Sequence, residues 1–167
     1  MDTAQETHHR SLRMTVLTTP DMANFSGHVH GGATLKLLDQ VAFACASRYA
    51  HAYVVTLSVD QVVFREPIYV GELVTFLAAV NYTGRSSMEV GIRATAEKIV
   101  EKTNRHVMTC YFTMVAVDGE GRPQRVPPFE PATPDERRRH QAAILRREFR
   151  KEIERRSLEI RQAPTTD

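Results

Sequence analysis

The chain changes hydrophobic period twice along its length, and those changes lay out its elements. Four segments, Tyr53 to Phe64, Glu72 to Tyr82, Ser86 to Glu97 and His106 to Val117, alternate apolar and polar positions and are rich in β-branched and aromatic residues. That period of two predicts half-buried strands. A shorter strand is predicted over Ser11 to Thr18. Turn residues fit between them: Thr83-Gly84-Arg85 separates two strands and Asp118-Gly119 ends the last, which implies antiparallel hairpins. Between the first and second strands, Gly31 to Tyr49 carries Leu35, Leu37, Leu38, Val41, Ala42, Phe43, Ala44, Cys45 and Ala46. This predicts a helix that is apolar around nearly its whole circumference and therefore buried on most sides. Strand, buried helix and four strands in that order predict an α+β fold, one antiparallel sheet curled around a central helix.

The Pro127-Pro128 pair marks the end of that pattern, giving a folded domain over 9–126 and a linker with a charged tail over 127–167. Within the tail, Thr133-Pro134-Asp135-Glu136 reads as an N-cap, a proline at the first helical position and a capping-box glutamate. A charged C-terminal helix to about Ile160 follows, with a narrow stripe of Leu145, Phe149, Ile153 and Ile160. Either the stripe docks on the core or on another subunit, or the helix is solvated.

Composition narrows the function classes. The 167 residues carry 22 basic and 20 acidic side chains, a net charge of +2 that alone gives little warrant for nucleic-acid binding. The two cysteines, Cys45 and Cys110, lie in apolar segments, as buried hydrophobes in a reducing compartment do. The first residues lack the apolar core of a secretory signal, and no segment approaches the roughly 20 apolar residues of a membrane span. The expectation is a cytoplasmic protein without a membrane partner.

Candidate chemistry centres on Asp39. Its helical neighbours are Leu35, Lys36, Ala42 and Phe43, so it is a carboxylate on a mainly apolar face. Burial there would favour its neutral form and suit it to general acid-base work; the alternative is an ion pair with Lys36 that only supports the helix. Upstream, Asn24-Phe25-Ser26-Gly27-His28-Val29-His30-Gly31-Gly32 is a polar, glycine-rich approach to the helix. Free N–H groups at a helix N-terminus can hold the oxyanion of an attacked carbonyl, or the glycines serve backbone geometry alone. His28 and His30 have no third ligand in view, so no metal is expected. Ser26 is not in a nucleophile elbow, and neither cysteine lies in a nucleophile motif. Attack by water, or by Asp39 itself, is the simpler chemistry.

Asn24, the run His28 to Gly32 and Asp39 on its helix together resemble the active-site signature of hotdog-fold acyl-CoA thioesterases. Val55-Thr56-Leu57-Ser58-Val59-Asp60, then Phe64 to Ile68 and Val70-Gly71-Glu72, are similar to the family's second strand and the turn beyond it, and Asn81 to Glu89 resembles its third hairpin. In unbroken order these cover roughly Met14 to Val117. The resemblance implies a single hotdog domain, paired into a homodimer and gathered into a homohexamer, with each active site spanning two chains. It implies Asp39 as general base or nucleophile, Asn24 of the other subunit orienting water or thioester, and Gly31 and Gly32 as backbone donors to the thioester oxygen. Coenzyme A is then part of the substrate, fatty acyl-CoA, and no separate cofactor is expected. Gly84, Arg85, Ser86 and Ser87 offer a cation, hydroxyls and backbone for its phosphates or pantetheine. Thr56 and Ser58, placed with Asp60 on one face of the strand, either line the site or pair across the sheet. Two other readings are a hotdog hydratase or dehydratase that would press His30 into service, and a noncatalytic acyl-CoA sensor whose basic tail contacts a partner or nucleic acid.

Overall fold

The computed structural model describes residues 9–162. They divide into two compact units, one ending at Phe129 and one beginning at Glu130. In the first unit, β1 (Ser11–Leu17) leads through a short 3-10 turn (Pro20–Met22) to α1 (Gly31–Ala50). Then come β2 (Tyr53–Val59), β3 (Val63–Phe64), β4 (Leu73–Thr83), β5 (Ser87–Lys98) and β6 (Thr103–Val117). The six strands form one sheet in the order β1-β4-β5-β6-β2, with β3 also on β6, and every pairing is antiparallel.

The alternation seen in the sequence is the sheet's inner face. Val74, Phe76, Ala78 and Val80 of β4, Val90, Ile92, Ala94 and Ala96 of β5, and Met108, Cys110, Phe112 and Met114 of β6 are all buried. They form one core with Leu38, Val41, Ala42, Cys45 and Ala46 of α1. Helix and curled sheet thus bury each other's apolar faces, as predicted. The core also takes in Val126 and Phe129. The Phe129 N–H donates to Thr83 Oγ1 at 2.8 Å and Tyr49 Oη–H to the Pro128 carbonyl at 3.0 Å, so the Pro127-Pro128 segment belongs to the folded core and the chain leaves it after Phe129.

Two expectations change. The long second strand is broken: Thr56 opposes Met114 and Ser58 opposes Thr113, leaving Leu57 as a bulge, and residues 60–62 leave the sheet before β3. Helix α1 is also less enclosed than its composition implied, because Leu35, Lys36, Asp39, Gln40 and Phe43 are exposed along one side. The outer edge of β2 has no strand neighbour among the described residues, and Tyr53, Val55, Leu57 and Val59 are exposed there.

In the second unit, α2 (Pro134–Gln162) starts with the anticipated capping box. The Glu136 N–H donates to Thr133 Oγ1 at 3.1 Å, and Glu136 Oε2 accepts from the N–H groups of Thr133 at 3.2 Å and Ala132 at 2.7 Å. No helix among the described residues is long and apolar enough to cross a membrane.

Candidate active site

Asp39 stands on the uncovered side of α1, opposite β2. The Thr56 hydroxyl donates to Asp39 Oδ1 at 2.6 Å, a charge-assisted hydrogen bond. No ion pair between Asp39 and Lys36 forms among the described residues, so the helix-support alternative is not realised. The carboxylate is exposed in the single chain, contrary to the burial inferred from its neighbours: Leu35 and Phe43, which lie one turn either side of it, are themselves exposed. The bulge at Leu57 explains the aim of Thr56. Thr56 shares its cross-strand partner's direction with buried Met114, toward α1, whereas Ser58 is turned with Thr113 to the opposite face. The common face expected for Thr56 and Ser58 is therefore absent, a re-aiming that bulges commonly produce. Asp39 borders two adjoining clefts, one of about 420 Å³ with Phe43, Tyr53 and Thr56, the other of about 610 Å³ with Leu35, Val59, Phe64 and Phe112.

Asn24 lines a different cleft of about 370 Å³, together with His28, Gly31, Thr34, Phe64 and Ile68. The loop is built around its amide: Asn24 Oδ1 accepts from the backbone N–H of Ser26 at 2.9 Å and of His28 at 3.1 Å. Those two donors fix which end of the amide is oxygen and leave the Nδ2 hydrogens uncommitted among the described residues. Gly27 closes the turn at φ +76°, a left-handed conformation suited to glycine. At the start of α1, His30 is the N-cap, its Nδ1 accepting from the Gly32 N–H at 2.9 Å. Gly32 is thus capped by its own neighbour, while the Gly31 N–H has no acceptor among the described residues.

The wall of this cleft over residues 65–68 is held by a group the sequence did not flag. Glu72, only 3% exposed, takes a two-point ion pair from Arg105, whose Nη1 and Nη2 each lie at 2.8 Å from a carboxylate oxygen. Arg105 Nη2 also donates to the Pro67 carbonyl at 2.5 Å, and Glu72 Oε2 accepts the Tyr69 N–H at 2.9 Å. Burial alone would raise the Glu72 pKa, but the hydrogen bonds from Arg105 and Tyr69, with the charges of Arg105 and Lys98, outweigh it and hold the carboxyl below its usual range. Partners 33 residues apart leave no local pattern from which this clamp could be read.

Comparison with known proteins places this arrangement. A family model described as the thioesterase superfamily matches residues 26–103. The chain is 48% identical to protein VdlD of Helicobacter pylori over 150 residues, covering 90% of this chain and 84% of that one. Among solved structures, a hexameric acyl-CoA thioesterase in its apo form superposes with a TM-score of 0.84 at 34% identity, over 87% of this chain and 93% of that one. The acyl-CoA hydrolase of Staphylococcus aureus, solved with butyryl coenzyme A and coenzyme A, gives 0.80 at 29% identity, over 92% of this chain and 95% of that one. The same hydrolase has been solved with alanine in place of an aspartate, an asparagine and a threonine.

The chain belongs to the hotdog acyl-CoA thioesterase family.

In this acyl-CoA thioesterase the remaining candidate residues lie apart from Asp39 and Asn24. Gly84 and Arg85 line a cleft of about 450 Å³ with Thr83, Arg125, Val126 and Pro128. The turn is tight, with Gly84 N–H donating to the Ser87 carbonyl at 2.7 Å, and the Ser86 carbonyl accepts the Ala116 N–H at 2.9 Å. Ser86 and Ser87 are half-buried and outside the residues that line this cleft. No group of three metal-ligating side chains occurs among the described residues.

Proposed function

We propose that this acyl-CoA thioesterase hydrolyses fatty acyl-CoA to the free acid and coenzyme A, in a site that Asp39 of one subunit forms with Asn24 of another. The observation that carries this reading is the division of the chemistry within one chain. Asp39, oriented by Thr56, faces clefts bordered by exposed apolar residues, whereas Asn24 and the free Gly31 N–H line a different cleft that meets them only at Phe64. A second chain set against the open edge of β2 and the uncovered side of α1 would shield Leu35, Phe43, Val55 and Leu57, and would supply the missing half of the site. Hexameric members of the family support such an assembly, and we extend it to a homohexamer here. The positions replaced in the S. aureus hydrolase are spaced along its chain as Asn24, Asp39 and Thr56 are spaced in this one, which supports their roles.

In this mechanism the thioester carbonyl accepts hydrogen bonds from Gly31 N–H and Asn24 Nδ2, donors that strengthen as the oxygen gains charge. Asp39 takes a proton from water as the water oxygen attacks carbon, or attacks that carbon itself and forms an anhydride that water then opens. Either way the C–S electron pair leaves with sulfur. Thr56 fixes the carboxylate oxygen that does not react. Coenzyme A phosphates lie at Gly84 and Arg85, with Ser86 and Ser87 stabilising that turn. In the alternative hydratase reading His30, whose Nδ1 caps α1, would act through Nε2; enoyl thioesters that give hydroxyacyl products without thiol release would favour it.

Turnover is measured as thiol release from acyl-CoA esters of increasing length. Asp39→Asn and Asn24→Ala should each lose about a hundredfold or more in kcat. Mixing the two under subunit exchange should restore part of the activity. Full turnover by Asp39→Asn, or no recovery after demonstrated exchange, removes the mechanism or the shared site respectively.

A further inference from the structure

The proposed mechanism uses Asn24 and Gly31 of the Asn24 cleft and leaves His28, Thr34, Arg65 and Glu66 of its lining without a role. His28 lines that cleft beside Asn24 and Gly31, is half-buried, and has no hydrogen-bond partner for either ring nitrogen among the described residues. Two other imidazoles each commit one ring nitrogen: His30 Nδ1 caps Gly32, and His106 Nε2 sits at 2.8 Å from both the Met108 carbonyl and Thr109 Oγ1. An uncommitted, partly buried polar side chain at a ligand cleft calls for a reason.

The position of His28 is fixed without using its nitrogens. Its N–H donates to Asn24 Oδ1 and its carbonyl accepts the Asn24 N–H at 2.7 Å, so the backbone is tied on both sides to the residue proposed to hold the thioester. A β-bridge joins His28 to Tyr69, and the two rings pack at 5.0 Å between centroids. Tyr69 is in turn held from behind, with the Arg105 guanidinium 5.5 Å from its ring centroid and its N–H on Glu72. The imidazole is therefore packed in place with its donor left over.

We propose that His28 is a catalytic residue that hydrogen-bonds the thioester sulfur and protonates it as the C–S bond breaks. This rests on the reading of the cleft as the thioester site. A carbonyl oxygen has two lone pairs, which Gly31 N–H and Asn24 Nδ2 satisfy; His28, tied through its backbone to Asn24 on both sides, is the donor held beside them for the neighbouring atom of the thioester that gains charge. The step balances as follows: water oxygen bonds to carbon, gives one proton to Asp39 and keeps the other in the product acid, the C–S electron pair passes to sulfur, and a proton from the His28 imidazolium goes with it to give the thiol and a neutral imidazole. The Asp39 proton returns to the imidazole through solvent.

The test compares two leaving groups. Fatty acyl-CoA expels an alkyl thiolate, a moderately strong base, whereas the same acyl group on para-nitrothiophenol expels a much weaker base that departs unaided. His28→Ala should lower kcat on acyl-CoA by about tenfold or more with little change in KM. That is less than the hundredfold typical of a lost oxyanion donor, because a thiol of pKa about 8.5 is already a fair leaving group. On the aryl thioester the same variant should keep most of its activity. His28→Met, which retains packing against Tyr69 without a donor, should behave like the alanine variant, and His28→Asn, which restores an N–H donor, should recover part of the loss on acyl-CoA. Wild-type kcat on acyl-CoA in both donor-less variants overturns the assignment. So does an equal loss on the two substrates, or a loss confined to KM. Active wild type with unaffected His28 variants refutes only this role, whereas a wild type that releases no coenzyme A refutes the function as well.

Discussion

Removing Arg105 probes whether the wall of the Asn24 cleft is held by its ion pair or by packing. In Arg105→Ala the Glu72 carboxylate, 3% exposed, keeps only the Tyr69 N–H, and the Pro67 carbonyl loses its donor. Deleting one partner of a buried ion pair typically costs about 3–5 kcal/mol. The Arg105 side chain is 26% exposed, so water screens part of the interaction and can reach the vacated space. A loss of about 2–3 kcal/mol is expected, which for a domain of this size lowers Tm by roughly 5–10 °C. Glu72 adds a pH signature. Its folded pKa is depressed, since the Arg105 and Tyr69 interactions outweigh the opposing effect of burial. The unfolded chain therefore binds the proton more readily, and the stabilisation is full above the unfolded carboxyl pKa of about 4.3 and is lost as pH falls through the folded value. Urea melts of wild type, Arg105→Ala and Glu72→Gln across that acid range measure both effects. The Gln variant should lack this part of the acid-induced decline. An Arg105→Ala protein within about 0.5 kcal/mol of wild type, or a Glu72→Gln protein with the full wild-type acid dependence, refutes the account.

Other perturbations test other parts of the structure. Thr56→Val should reduce kcat by about ten- to a hundredfold, the worth of a hydrogen bond to a charged group, with Thr56→Ser close to wild type; steady-state kinetics with an unchanged Tm checks it. A Cβ at Gly91 would lie 2.4 Å from Asn81 Nδ2, which is buried and bonded to Glu89, and 3.3 Å from the Tyr111 ring. Gly91→Ala should therefore cost about 1–3 kcal/mol by overpacking, measured by chemical denaturation. Burial pushes the Cys45 and Cys110 thiols each up to about 12, so neither should react with a thiol reagent at neutral pH until the protein is unfolded, when both should titrate. Leu57→Glu, on the open edge of β2, should shift the oligomer toward smaller species in analytical ultracentrifugation and lower activity in parallel.

The parts of this fold that were legible in the sequence are those whose hydrophobic period is answered within the same chain. β4, β5 and β6 alternate because one face of each packs on α1, and the tail helix announces itself through a capping box of adjacent residues. The Leu57 bulge was not legible, because Leu57 continues the apolar alternation of Val55 and Val59 while the hydrogen-bond register slips beneath it. Nor was the pairing of Glu72 with Arg105, which depends on two distant segments meeting. The misjudged burial of Asp39 is the most informative difference. Leu35 and Phe43 flank it on the helix and suggested a core, yet in one chain they are exposed, as are Val55 and Leu57 on the neighbouring strand edge. Apolar residues clustered in this way are costly in water and signal a surface that is meant to be covered. The sequence therefore recorded an apolar environment for Asp39 that a single chain does not provide. On that reasoning Asp39, the proposed base or nucleophile, gains its dry surroundings only on assembly and substrate binding, and assembly becomes a condition of the proposed catalysis.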